Sequence, residues 1–586
     1  MEEFANNGRR KDWRNVFYSF VMVISICLSL YFMLFSIQEP LTYDEMWGFE
    51  AGRLILSKGI PISWTGGYDL GNPPLYYYVL ALFFKLFGAS DVVARIPGII
   101  GTIGTGLLLY VIGRMTTGDR DKGRMIGSLA SLFYLLNPAT IQGALIVDID
   151  CAILPVLSVA LIICFLWAVR CNDSKRWIWL GLLLSASLWA KLTTPLLLFG
   201  IIALYTFIDR GMRSGTNKTL ITAVFGIGGF LFSWGLYTAI KNVPFGYPFD
   251  YLIASFVSKQ LHGSAWDRII MACRSFMQLA LWWSPFLLLL SLFGGIERIK
   301  RFFERPRLIL WDLPILFVFT GVIGYILVGG TTFAFPKYHA PFLPILSLLL
   351  AGYFVHIAGM PSKRELWFLG LLMATGIVWS LFMVGDPLLT LNFTIRDIMI
   401  HDSGNTQNII GSFLKQIVMS CLLAVAAIIA ICFLNNKNSH LYRNCVLGLT
   451  AALLSSWLAM DITQAKADYL TRFCYGDRET RQMISFVKSK MSPNDLVLAT
   501  RDIVYYTNDG APYWGDSVWN SSVKFAETIK RPDVRYVVYG VGHHSISQYR
   551  NTFLNPDVIA ILNCDYSKSQ IGTYTVWSKN KDILNK

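Results

Sequence analysis

A small set of ionisable side chains falls where the apolar runs of this chain end. Asp44 and Glu45 form a paired acid in LTYDEMWGFEAGRLILSKG, directly after an apolar run over 16–35. Asp148 and Asp150 lie between two further runs, in GALIVDIDCAILP. Lys191 closes another in SLWAKLTTP, and Lys337, Tyr338 and His339 precede one in FAFPKYHAPFLP. Singly, each has a plain reading: an interfacial lysine snorkels to water and an aspartate ends a helix. Together they are costly groups of both signs near a membrane, which is where function concentrates. A carboxylate can deprotonate an attacking hydroxyl, and cations can stabilise a departing phosphate. Phosphate leaves readily, so the separate general acid of glycoside hydrolysis is dispensable. A lipid-linked phosphate suits this arrangement, with its tail in the bilayer and its head group in water.

The elements that position these groups follow from composition. The chain has 586 residues, 54% hydrophobic and only 15% charged, with a mean hydropathy of +0.48. A soluble protein would carry roughly a quarter charged residues. Apolar runs near spanning length recur, which predicts a polytopic α-helical membrane protein. The net charge of +14 reflects Lys and Arg gathered in loops on one side of the membrane, not nucleic-acid binding. The first run lacks a small-residue cleavage site and reads as a retained signal anchor. Cys474 and Cys564, in the polar C-terminal segment, are either a disulfide or two free thiols.

Arg9, Arg10, Lys11 and Arg14 place the N-terminus in the cytoplasm. Block 73–87 sets the orientation of everything after it. If it lies along the interface, as Tyr76, Tyr77 and Tyr78 suit, the loops 114–124, 170–176, 209–218, 297–307, 360–365 and 435–443 are cytoplasmic. Those loops are the basic ones, whereas 147–151 has no Lys or Arg and 329–341 has only Lys337. Spans are then expected at 92–112, 125–146, 152–169, 177–190, 195–208, 220–240, 269–295, 313–328, 341–356, 366–384, 413–434 and 446–460. With the first, that is about thirteen crossings, and an odd number puts the C-terminus outside. Asp44 opens a helix-compatible run with Trp47, Ala51, Leu54 and Ile55 on its apolar side and Glu50, Arg53 and Lys58 off it. The longer loops 241–268 and 386–412 read as lids on the Asp44 side. Residues 1–460 form the transmembrane domain and 461–586 a soluble α/β domain outside, with a helix over 476–491 and strands at 495–500, 534–539 and 574–578. His543-His544 reads as part of a polar loop, since no cysteine or acidic partner adjoins it.

The YDE run, GNPPLYYYVLALFFKLFGASDVVARIPG, the DID turn, WAKLTTP and PKYHAPFLPILSLLLAG together resemble the GT-C membrane glycosyltransferases. The nearest branch holds the protein O-mannosyltransferases and the lipid A aminoarabinose transferases. The resemblance covers 1–352 well and the C-terminal domain loosely. It implies a polyprenyl-phosphate sugar donor, a lipid, glycan or protein acceptor, and inverting transfer outside the cytoplasm by a multi-pass protein of the plasma or inner membrane. It also implies interfacial helices in a first outer loop over 38–91. By position, Asp44 resembles the family's catalytic carboxylate, with Glu45 beside it, and Asp148 or Asp150 its second acidic site. Lys191 matches a phosphate-contacting lysine, and Lys337 with Tyr338 a region that approaches the phosphate. Trp47 stands where the aminoarabinose transferases have an arginine, and Gly71-Asn72 where they have an acidic–lysine pair. Asn72 can hydrogen-bond but carries no charge, which sets the chain apart from that branch and its metal site. Two acidic pairs could hold a divalent cation, and two lysines could neutralise a monophosphate without one. A transporter or flippase is the alternative reading, but it would place its charges near the bilayer midplane on broken helices. A ligase using diphosphate-linked glycans would carry an outer loop rich in Arg and His.

Overall fold

In a computed structural model of the protein, the described residues are 2–62, 71–250, 312–327, 337–357, 480–507, 521–540 and 552–580, apart from short gaps and a few isolated positions between them. Helix α1 (Glu2–Ser36) carries the first apolar run, and a connector over 37–41 leads to α2 (Tyr43–Lys58). Helix α3 (Leu75–Phe87) has 13 residues. At 1.5 Å per residue it is about 20 Å long, short of a ~30 Å hydrocarbon core. Helix α4 (Asp91–Thr116) is long enough to cross and starts at Ser90, whose hydroxyl accepts from the Val93 N–H.

The single span expected over 125–146 is two helices. Helix α5 (Arg120–Leu135) ends at Leu136, and α6 (Pro138–Leu145) starts anew. The cause is local. Asn137 caps the Ala139 N–H with its side chain, and Pro138 has no N–H to continue the preceding helix. A short α7 (Ile149–Ala152) follows, then α8 (Leu154–Cys171), α9 (Ser174–Leu188), α10 (Thr193–Ala223), a π-helical turn (Val224–Gly228) and α11 (Gly229–Lys241). Gly211, at φ 72° and ψ 168°, breaks α10. Only glycine adopts that conformation readily, so the break separates the two expected spans. Helix α12 (Asp312–Leu327), a 3-10 turn (Lys337–Phe342) and α13 (Leu343–Ile357) complete the described bundle. Among the described residues, five helical stretches are long and apolar enough to cross a membrane: Val16–Leu34, Asp91–Thr116, Leu154–Cys171, Thr193–Lys241 and Lys337–Val355.

The C-terminal domain contains α14 (Thr480–Lys490), β1 (Leu496–Leu498), α15 (Arg501–Thr507), α16 (Ser522–Lys530), β2 (Val534–Gly540), α17 (Pro556–Asp565), β3 (Tyr566–Ile571) and β4 (Tyr574–Lys579). The sheet order is β1-β2-β4-β3, with β1 parallel to β2 and the other pairs antiparallel. Leu498, Phe525, Val537, Val558 and Trp577 form one buried layer, and Met483, Val487, Val497, Ile503 and Val576 another. The strands expected at 534–539 and 574–578 are present, the one expected at 495–500 is shorter, at Leu496–Leu498, and β3 is an additional one. The expected spans at 269–295, 366–384, 413–434 and 446–460, the loop 386–412, most of 241–268, His543-His544 and Cys474 fall outside the described residues, apart from isolated positions in 269–295.

Two glycines bring α4 against the acidic turn. A Cβ on Gly98 would collide with the Ala144 carbonyl oxygen, and one on Gly101 with that of Ala152. Both obstacles are backbone, so neither can swing aside. Gly101→Ala should therefore push α4 off α7, lower the melting temperature by several degrees and weaken any activity that uses Asp148 or Asp150. A thermal melt in detergent checks it; a wild-type melting temperature would refute the close packing.

Candidate active site

The acidic turn between α6 and α8 is the floor of the site. Asp148 caps α7, its Oδ1 accepting from the Asp150 N–H at 2.8 Å. This turns Asp150 into the interior. Lys191 lies just past the C-terminal end of α9, and its Nζ donates to both oxygens of Asp150 at 2.6 and 2.7 Å. Lys337 opens the 3-10 turn and donates to Asp148 Oδ2 at 3.1 Å. The ring of Tyr338 faces both ammonium groups, at 4.8 Å from Lys191 Nζ and 5.6 Å from Lys337 Nζ. Residues far apart in sequence thus form one quartet of two carboxylates and two ammonium groups with an aromatic wall.

The two pairs differ. Asp150–Lys191 is bidentate and enclosed, with side chains 4% and 10% exposed; Asp148–Lys337 has one contact, and Asp148 is 17% exposed. Burial pushes the Asp148 carboxyl up, but Lys337 and Lys191 together outweigh it and hold the group below the usual carboxylate range. Burial also raises Asp150, and there it prevails: Lys191 opposes it, while the like charge of Asp148 adds to it. Asp148–Lys337, with a single contact and the more exposed carboxylate, is the more loosely held of the two pairs.

Arg95 joins this floor to the paired acid, and it was not among the residues singled out from sequence. It is buried in α4. Its guanidinium donates to the carbonyls of Leu145 at 2.9 Å, Ile37 at 3.0 Å and Glu39 at 2.6 Å, and lies 3.6 Å from Glu45 Oε1. Glu45 also accepts from the Val147 N–H at 3.0 Å. Glu45 therefore points into the protein and ties α2 to the acidic turn. An arginine is almost never buried without partners, so Arg95 inside the apolar ARIPG helix was itself a signal. Asp44 lies in the first turn of α2, beside Glu45; its side chain is outside the described residues. Glu50, expected on the polar side of α2, is buried at 3% exposure, where Arg53 folds back to pair with it at 2.9 Å. Helix α2 is covered by α3 rather than by membrane alone, so it has more buried faces than its sequence pattern suggests.

Tyr76 on α3 was read as an interfacial aromatic. It is buried, its hydroxyl has no hydrogen-bond partner among the described residues, and burial together with the charges of Asp148 and Glu45 raises its pKa well above the usual value. Asn72 is half-buried before α3, and no hydrogen bond among the described residues joins it to the quartet. His339 is buried. A divalent cation fits these donors poorly. Each aspartate is already neutralised by a lysine that a metal would have to displace, and the described residues contain no cluster of three metal-ligating groups.

Residues 71–236 match the family described as dolichyl-phosphate-mannose-protein mannosyltransferase. They contain α3, Arg95, both aspartates and Lys191. An uncharacterized protein of Aquifex aeolicus (strain VF5) is 24% identical over 119 residues, which is 20% of this chain and 24% of that protein, so the match spans about a quarter of that relative. ArnT from Cupriavidus metallidurans in the apo state superposes with a TM-score of 0.55 at 15% identity, over 96% of this chain and 98% of ArnT. The same protein bound to undecaprenyl phosphate gives 0.53 at 14%, over 97% and 98%. At such identities the likeness is one of fold. This chain therefore has the GT-C membrane glycosyltransferase fold with a small C-terminal sheet domain, and its segment 71–236 is similar to the dolichyl-phosphate-mannose-protein mannosyltransferases.

Proposed function

We propose that the protein transfers a sugar from a polyprenyl-phosphate donor to an acceptor hydroxyl or phosphate on the extracytoplasmic side of the membrane, with inversion. The observation that carries this reading is the quartet: two lysines and a tyrosine face gathered over two aspartates, tied through Glu45 and Arg95 to the helix whose first turn holds Asp44. The donor phosphate takes Lys337 from Asp148, the more exposed and more loosely held pair. Lys191 stays with Asp150 and keeps the floor in place. Asp44 accepts the proton of the acceptor group, whose oxygen then attacks the anomeric carbon from the face opposite the phosphate. The bond from that carbon to the phosphate oxygen breaks, and the phosphate departs with the electron pair toward Lys337. ArnT, which shares this fold, has been seen bound to undecaprenyl phosphate, and this supports a donor of that class.

The test is a transfer assay with purified protein in lipid vesicles, radiolabelled polyprenyl-phosphate sugars and a membrane extract as acceptor pool. Label should move to an acceptor and identify the donor. Transfer from none of the donors by folded protein would overturn the reading, and label crossing the bilayer unchanged would mark a carrier instead. Lys337→Gln should raise the donor KM roughly tenfold or more, the loss expected for a charge-assisted contact. An unchanged KM would remove Lys337 from the phosphate.

A further inference from the structure

The C-terminal domain reaches the Asp44 region through a few specific bonds. Tyr506, in α15, accepts from the Leu41 N–H at 2.7 Å and donates to Asp91 Oδ2 at 2.7 Å. Arg481, in α14, donates to the Gln38 carbonyl. The ring of Tyr505 packs edge-on against Phe49 of α2 at 5.7 Å, and Phe49 in turn packs on Phe84 of α3 at 5.1 Å. These bonds all land on the connector 37–41, on α2, or on the first residue of α4. From the other side the same connector is gripped by Arg95, through the carbonyls of Ile37 and Glu39. The connector is thus clamped between an arginine of the bundle and a tyrosine of the C-terminal domain. Leu41, whose N–H Tyr506 holds, is three residues before Asp44.

We infer that Tyr506 is a positioning residue for transfer: with its hydroxyl bridging Leu41 and Asp91, the C-terminal domain sets where α2 begins and so where Asp44 stands. This rests on the reading of Asp44 as the base. The hydroxyl is suited to the role because it both accepts and donates, and so fixes two segments relative to one another. A displacement of the base by about 1 Å is enough to cost one to two orders of magnitude in rate. The domain then acts on the chemistry as well as on whatever acceptor it meets.

Tyr506→Phe removes both bonds and keeps the ring. It should lower kcat roughly tenfold with donor KM unchanged. Tyr506→Phe combined with Asp91→Asn should fall no further than Tyr506→Phe alone, since that variant already removes the bond to Asp91. Tyr536→Phe is the control: Tyr536 donates to the Lys490 carbonyl within the C-terminal domain, at 2.9 Å, and its loss should leave kcat unchanged. Hydrogen exchange over 37–46 is read in parallel on full-length protein. It should speed up in Tyr506→Phe and not in Tyr536→Phe, whether or not any sugar is transferred. Unchanged exchange in Tyr506→Phe overturns the inference, as does a kcat equal to that of wild type or of Tyr536→Phe. Wild-type protein that transfers no sugar would defeat the proposed function alone, and the exchange result would still decide whether Tyr506 holds the connector.

Discussion

Replacing Lys191 with methionine should cost the protein about 3–5 kcal/mol of stability, the loss expected when one member of a buried ion pair is removed. The methionine fills most of the lysine's volume, but Asp150 then keeps its burial with no ammonium at 2.6 Å. Of the influences left on Asp150, burial and the Asp148 charge raise its pKa, and only the smaller effect of Lys337 opposes them. A carboxyl whose folded pKa lies above its unfolded value destabilises the fold once the pH exceeds that unfolded value. The deficit of Lys191→Met should therefore shrink as the pH is lowered and grow as it is raised. Adding Asp150→Asn should restore most of the lost stability at neutral pH. Thermal melts of the three proteins in one detergent, at several pH values, check this. A Lys191→Met protein as stable as wild type would mean that Asp150 is solvated or otherwise paired.

Asp44→Asn should reduce transfer by about 100- to 10,000-fold, the range that general-base catalysis contributes. Asparagine has nearly the same shape and still hydrogen-bonds, so the donor KM should stay near its wild-type value. The effect should lie in kcat, because the proton is taken up only as the acceptor attacks. Glu45→Gln, one residue away, should behave differently. Glu45 receives the Val147 N–H and faces Arg95, so its loss should lower the melting temperature before it lowers the rate. Single-turnover rates with a saturating donor, set beside the melts, separate the two. If Asp44→Asn turned over at the wild-type rate, another group would be the base.

Much of the candidate site was readable in the chain, because costly residue types at the ends of apolar runs are conspicuous. Asp148, Asp150, Lys191 and Lys337 stand out for that reason. Their pairing was not readable: which lysine meets which aspartate depends on how α7, the end of α9 and the 3-10 turn converge, and no local pattern encodes that. Arg95 was hidden because a single charge barely disturbs the hydropathy of a long helix, although its burial demanded partners. Glu50 was misplaced because amphipathic spacing assumes one buried face, whereas α2 is covered by α3 and the acidic turn as well as by Tyr505. In the C-terminal domain the apolar strands β1, β2 and β4 were legible. Strand β3, YSKSQI, is an edge strand whose exposed positions carry polar side chains, so it lacks the β-branched signature. The break at Asn137 had its signal, an Asn-Pro step, which the apolar run around it obscured.

The quartet has a consequence for how a donor arrives. Two carboxylates and two ammonium groups cancel in formal charge, Glu45 with Arg95 cancels again, and the Asp44 carboxylate adds a negative charge, so these residues carry no net positive charge to reach beyond the walls of the site. A phosphate diffusing in the plane of the membrane would not be drawn in from a distance, and added salt would have little to screen. Capture would be decided on contact, by whether the incoming anion can take a lysine from the aspartate that holds it. Such a site discriminates by exchange rather than by attraction, and stray anions that cannot complete the exchange would leave as easily as they came.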